Sequence, residues 1–207
     1  MAQYFSLHPT HPQHRLLAQA AKILREGGVI GYPTDSCYAL GCHIGDKEAM
    51  QRLRRIRDID EQHHLTLMCR DLSEISQYAR IDNVQYRMLK TLTPGPYTFI
   101  LEATREVPKR LLHERRKTIG IRVPQNVVAL ALLEELNEPI LSATALVSEE
   151  RLPASDALEL REQWEHQLDL VLDGGPCGIV PTTVLDLTGP DIVVVRSGRG
   201  EVGMLSR

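Results

Sequence analysis

Cysteine, aromatic residues and long uncharged runs are all scarce in this chain of 207 residues, and each scarcity removes a class of function. The four cysteines, Cys37, Cys42, Cys69 and Cys177, include no CxxC pair, which argues against a zinc knuckle and a thioredoxin-type redox site. Reduced, mostly buried thiols are expected. No stretch of about 18 uncharged apolar residues occurs, and Met1-Ala2-Gln3-Tyr4-Phe5 lacks a basic segment followed by an apolar one. Neither a membrane span nor a secretory signal is expected, and the expected location is cytoplasmic. Walker A, Gly-x-Ser-x-Gly and kinase signatures are missing, which sets aside P-loop chemistry and a serine nucleophile, and a purely parallel Rossmann sheet is the less expected option. The eight histidines form no HExxH or HxxxH grouping with carboxylate or thiol partners, and the adjacent His63 and His64 would point apart on a strand, so no metal site is expected.

What is present suits one domain spanning 1–207, since 43% hydrophobic and 25% charged content over this length fills a single core. The net charge of -3 conceals a split: residues 1–125 hold 19 Lys+Arg against 13 Asp+Glu, and the remainder holds 5 against 14. An excess of positive charge in the first part suits an anionic partner, although solvated helix faces give similar counts.

Helical and extended patterns alternate along the chain. Thr10 is placed to cap a helix with Leu16, Leu17, Ala20, Ile23 and Leu24 on one face and Gly27-Gly28 as its stop. Asp46 starts an arginine-rich helix, and further helices are expected after Asp71, from Asp82 to Leu92, from Gln125 to Leu136 and from Ser155 to His166. Strands are expected at Val29 to Tyr32, Leu65 to Cys69, Tyr97 to Glu102, Thr118 to Val123, Ile140 to Thr144, Leu168 to Leu172, Thr183 to Leu187 and Ile192 to Arg196. The expected fold is α/β: helices on both sides of one sheet with mixed strand directions.

Chemistry concentrates in a few motifs. Gly31-Tyr32-Pro33-Thr34-Asp35-Ser36-Cys37 sets the Thr34 and Ser36 hydroxyls just after a strand, where sheets meet ligands; an ordinary turn with Asp35 as its cap is the other reading. Arg52 to Arg57 contains four arginines, and these serve either bidentate phosphate recognition or a solvated basic face neutralised by Asp58, Asp60 and Glu61. In Thr118-Ile119-Gly120-Ile121-Arg122, alternation puts Thr118, Gly120 and Arg122 on one face. Arg122 can there bind a carboxylate while Gly120 admits the ligand to the backbone, or it can pair with a neighbouring Glu. Lys109, Arg110, Arg115, Arg116 and Lys117, with Arg54, offer a basic surface; so few aromatics lie near that it suits an electrostatic platform better than a reader of bases, and a plain soluble helix face has the same composition.

In order, the segments YPTDSCYALG, Arg55-Ile56-Arg57, KTIGIRVP, LSATA, PTTVLDL and VVRSG resemble the YrdC/YciO family over nearly the whole chain. The resemblance implies a YrdC/RibB-like twisted mixed β-sheet flanked by helices, with a basic concave surface. Members of the YrdC type are threonylcarbamoyl-adenylate synthases: nucleotidyltransferases that join threonine, bicarbonate and ATP, release pyrophosphate and feed a tRNA threonylcarbamoyladenosine modification. The family is also described as binding double-stranded RNA. By resemblance, Thr34, Thr118, Arg122 and Thr182 would hold threonine, and Arg55, Arg57, Ser142, Thr144 and Arg196 would surround ATP or AMP. Arg55, Arg57 and Arg122, with Mg2+, would stabilise charge developing on the phosphates. Double-stranded RNA or tRNA is the alternative partner implied, bound by the basic concavity without catalysis. Two departures stand out: the family's Lys-x-Arg-Pro reads Arg55-Ile56-Arg57-Asp58, and its Ser-Ala-Asn reads Thr144-Ala145-Leu146. Arginine replaces a compact charge by a planar fork, and leucine cannot hydrogen-bond, a loss on the order of 1–3 kcal/mol where a partner is left unsatisfied. Both fit a YciO-like branch with weak or altered activity.

Overall fold

A helix starts where a short polar side chain can satisfy the free N–H groups of the first turn. The computed structural model describes residues 1–60, 65–112, 117–147 and 150–203, and holds helices α1 (His14–Arg25), α2 (Lys47–Arg57), α3 (Leu72–Tyr78), α4 (Asn83–Leu92), α5 (Val127–Leu136) and α6 (Ala157–Trp164). Asp46, Asp71, Asp82, Asn126 and Asp156 cap the last five through their side chains, Asp82 in a reciprocal box with Gln85. The exception is α1. It is preceded by Gln13 with no side-chain cap, because the Thr10 hydroxyl is engaged by the His8 and His11 rings at 3.2 and 3.0 Å and Pro12 keeps the chain before it out of the helical region. The expected cap at Thr10 is therefore corrected. None of the described helices is long and apolar enough to cross a membrane.

Ten strands form one sheet: β1 (Gln3–Ser6), β2 (Ile30–Tyr32), β3 (Ala39–His43), β4 (Thr66–Met68), β5 (Tyr97–Glu102), β6 (Thr118–Arg122), β7 (Ile140–Thr144), β10 (Leu170–Asp173), β11 (Thr183–Asp186) and β12 (Val193–Arg196); β8 (Leu146–Val147) and β9 (Leu152–Pro153) make a separate ribbon. Their order is β1-β10-β2-β3-β7-β4-β6-β5-β11-β12, with β1–β10, β10–β2, β4–β6 and β5–β11 parallel and the other pairs antiparallel. Mixed directions are thus as expected. The sequence reading had no strand at β1 or β3: Ala39-Leu40-Gly41-Cys42-His43 has little strand propensity, and is held extended by β2 on one side and β7 on the other. His63 and His64 lie outside the described residues.

The two faces of the sheet are covered unequally, and this makes the site. On one face, Leu53 of α2, Ile75 of α3, Leu89 of α4 and Leu160 of α6 pack with Leu67, Phe99, Ile121 and Leu141 in the larger core. On the other, α1 and α5 are the only described helices, burying Leu17, Leu24, Leu132 and Leu136 against Ile30, Tyr32, Ile140 and Leu170. Ten strands at about 4.8 Å spacing make a sheet roughly 43 Å wide, whereas two helices of about 10 Å span only half of it. The face of β4, β6, β5 and β11 is left open.

Candidate active site

That open face is a hollow of about 610 Å³. Strand alternation decides what lines it: on β6, Ile119 and Ile121 go to the core, while Thr118, Gly120 and Arg122 face the hollow. Thr66 and Met68 of β4, Thr98 and Ile100 of β5, and Ser142 and Thr144 of β7 reach it by the same rule.

Arg122 is buried at its floor, where Nη1 donates to the Ser36 hydroxyl at 3.1 Å, Nη2 contacts the Thr34 hydroxyl at 3.5 Å, and Nη2 also makes an ion pair with the Asp35 carboxylate. The partner is Asp35, which sequence reading treated as a turn cap, and not a neighbouring Glu. Nε of Arg122 and Oδ2 of Asp35 are buried with no hydrogen-bond partner. Thr34 shapes the loop that brings these groups together: its hydroxyl donates to the Cys37 carbonyl at 2.6 Å and accepts from the N–H groups of Ser36 and Cys37 at 3.1 and 3.3 Å. Cys37 also lines the hollow, and burial pushes its thiol above the usual range, against the pull of Ser36 and Arg122.

On the β7 side, the Ser142 hydroxyl donates to the Leu40 carbonyl at 3.2 Å and meets the Tyr32 hydroxyl at 2.7 Å. Burial raises the Tyr32 pKa, and because the Ser142 proton is given to Leu40, the Tyr32 hydroxyl is the donor between the two. On the far side, Thr182 and Thr98 share a 2.9 Å hydroxyl contact, and Arg196 of β12 donates to the Thr182 carbonyl from Nε at 3.2 Å and Nη2 at 3.0 Å. A Cβ on Gly120 would meet Thr66 Oγ1 at 3.5 Å and Thr98 Cγ2 at 3.6 Å, ordinary contact distances, so the bare backbone there leaves room at the floor.

Thr34, Thr118, Arg122, Ser142, Thr144, Thr182 and Arg196 therefore share one cavity. Arg55 and Arg57 are not among its lining residues: Arg55 is exposed at the end of α2, and Arg57 is buried beside it. Arg54, assigned in sequence to a basic surface, is buried, with its guanidinium turned to the Asp60 carbonyl. Arg110 is tied to the carbonyls of Ile44 and Gly45 at 3.1 and 2.9 Å; Lys109 stands beside it on a 3₁₀ turn, and Lys117 precedes β6 with a φ of 52°. Arg115 and Arg116 lie outside the described residues. Among the described residues no cluster of three or more His, Cys, Asp or Glu side chains is arranged to hold a metal ion. Thr98 and Tyr32 were missed, although Thr98 shares the outward register of β5 with Ile100 and Glu102, opposite the apolar Phe99 and Leu101, a signal that was available.

A family model described as "Telomere recombination", for Sua5, YciO and YrdC, matches residues 22–198. The uncharacterized protein YciO of Escherichia coli K12 is 55% identical over 98% of both chains, and the crystal structure of E. coli YciO superposes with a TM-score of 0.95 over 99% of this chain and 100% of that one. A threonylcarbamoyl-AMP synthase from Chromobacterium violaceum is 37% identical over 66% of this chain and 71% of its own. The crystal structure of Pyrococcus abyssi Sua5 complexed with L-threonine is 26% identical, with a TM-score of 0.86 over 94% of this chain and 57% of that one.

Proposed function

The chain belongs to the Sua5/YciO/YrdC family, and from that membership we propose that its hollow binds threonine and ATP and forms threonylcarbamoyl-AMP from them with bicarbonate, at a weak or altered rate. The observation that carries this reading is the gathering of seven side chains from five separate segments around one hollow of about 610 Å³, within the range of small-molecule sites. Arg122 would take the threonine carboxylate, in exchange for or alongside Asp35, whose unpartnered Oδ2 is suited to an ammonium group. The threonine amine would attack the bicarbonate carbon, and loss of water would leave the carbamate. The resulting carbamate oxygen would then bond to the α-phosphorus of ATP as the bond to pyrophosphate breaks. Arg196, on the outermost strand and exposed, is the cation of the hollow best placed to meet phosphate oxygens. Mg2+ would enter with the phosphates, neutralising the charge that builds on the leaving pyrophosphate.

The test is a thermal shift followed by turnover. ATP or threonine at about 100 times its Kd should stabilise the fold by about 2.7 kcal/mol, or about 5–11 °C for a domain of this size. Pyrophosphate release from ATP, threonine and bicarbonate should exceed that of an Arg122→Ala control. Turnover no greater than the control's would refute the synthase reading for these substrates.

A further inference from the structure

The outer strands of an open sheet carry unpaired N–H and C=O groups, and the two ends of this sheet treat them differently. At β1, Gln3 and Ser6 put polar side chains at the strand ends and Phe5 is half-buried. Tyr4 is held there by its hydroxyl, which donates to the Asp173 carboxylate at 3.0 Å, and by the Arg161 guanidinium 5.6 Å over its ring. β12, at the other end, pairs with β11 alone among the described strands. Its residues Ile192, Val193, Val194 and Val195 are 37%, 55%, 40% and 56% exposed, so both faces of the strand are open as well as its outer edge. Four consecutive β-branched apolar residues, with no Lys or Pro among them, make an adhesive edge. A bulge puts one extra residue, Val195, against the Val184–Leu185 step, and the straight run is Ile192 to Val194.

The charges at the ends of this run say what fits it. Asp191 precedes it and Arg196 closes it, and both are exposed. The Asp191 carboxylate makes no hydrogen bond or ion pair among the described residues, and Arg196, whose Nε and Nη2 are engaged by Thr182, keeps Nη1 without one. A strand with an acid at one end and a cation at the other complements a second copy of itself in the antiparallel sense, where each acidic end meets the other's basic end; laid parallel, like charges would meet.

We infer that β12 is a self-association edge: two copies join antiparallel through it, about a two-fold axis perpendicular to the sheet, so that one sheet runs through both. Rotation about that axis preserves the faces of the sheet, and the two hollows therefore open to the same side. Val195 and Arg196 line the hollow, so the Asp191 end of each copy comes to the rim of the other's. Six residues rising about 3.3 Å each give a contact about 20 Å long and one sheet, about 10 Å, deep, well short of the roughly 800 Å² per copy of a standard interface, which makes the association reversible and dependent on concentration. The pairing is independent of what the hollow binds.

Sedimentation equilibrium between about 1 and about 500 µM, the range in which a contact of this size dissociates, tests it. The mass of the wild type should rise from 23.3 kDa toward twice that value. Val194→Lys, a charge on the free edge at an exposed position, should stay monomeric throughout while matching wild type in urea unfolding. Asp191→Arg, with cations at both ends, should weaken association about fivefold, and mixing it with Arg196→Asp should restore it. Leu158→Lys, at a 52% exposed position on α6, should associate as wild type does. A wild type that stays monomeric at every concentration, a dimer that survives Val194→Lys, a mass that climbs past the dimer, or equal loss in Leu158→Lys would each overturn the inference.

Discussion

Neutralising one member of the Asp35–Arg122 pair should damage the fold more than neutralising both. The two side chains are 10% and 8% exposed. At a charge separation of about 4 Å and an effective dielectric of about 20, their attraction is about 4 kcal/mol, and removing one partner of a buried pair typically costs about 3–5 kcal/mol because the other is stranded. Asp35→Asn leaves the Arg122 cation with only the Ser36 hydroxyl at 3.1 Å and the Thr34 hydroxyl at 3.5 Å; Arg122→Met leaves a buried carboxylate. Each single variant should therefore lose about 3–5 kcal/mol in urea unfolding, equivalent to a fall in Tm of about 6–20 °C at this chain length. The double variant Asp35→Asn/Arg122→Met removes both charges and should lie within about 2 kcal/mol of wild type, giving a coupling energy of at least about 4 kcal/mol in the cycle. Single losses below about 1 kcal/mol, or losses that simply add in the double variant, would refute a mutually dependent buried pair.

Two further predictions concern protons. Burial raises the pKa of Glu74 above its usual 4.5, although the Arg70 N–H donates to it at 2.6 Å. The folded state thus holds this proton more tightly than the unfolded one, so the stability it contributes is present below pH about 4.5 and lost as pH rises through the folded pKa. Glu74→Gln should raise the urea midpoint at pH 7, with the gain vanishing below pH about 4.5; a gain that persists there would count against burial as the cause. Burial also pushes up the thiols of Cys37, Cys42 and Cys69, that of Cys42 to about 12, so all three should resist Ellman's reagent at pH 8 until the protein is unfolded. Rapid native labelling of Cys37 would show its thiol to be more accessible and acidic than its surroundings imply.

Most of the sheet was legible because its strands are short apolar runs between capped helices, and five of the six caps are single Asp or Asn residues visible in the sequence. β5 and β7 have the bounds their alternation suggests. β1 and β3 were not legible, since what extends them is pairing with β10 and with β2 and β7, contacts far away in sequence. Within the site, strand period placed Thr118 and Arg122 on one face, and the order of motifs supplied Ser142, Thr144 and Arg196. The identity of Arg122's partner was hidden, because Asp35 lies 87 positions upstream and its local sequence equally suits a turn. The arginine-rich end of α2 misled for a related reason. Composition counts charges without their directions, and a helix turning about 100° per residue sends Arg54 and Arg57 inward and Arg55 to solvent.

The hydrogen at Gly120 separates two properties that usually move together in a protein interior. A methyl group there would touch its neighbours at normal distances, and a strand accepts alanine at least as readily as glycine, so the β6 backbone has no need of the smaller residue. What the missing carbon preserves is depth beneath a guest molecule, making this position a steric plug whose insertion would shrink the hollow while sparing the scaffold.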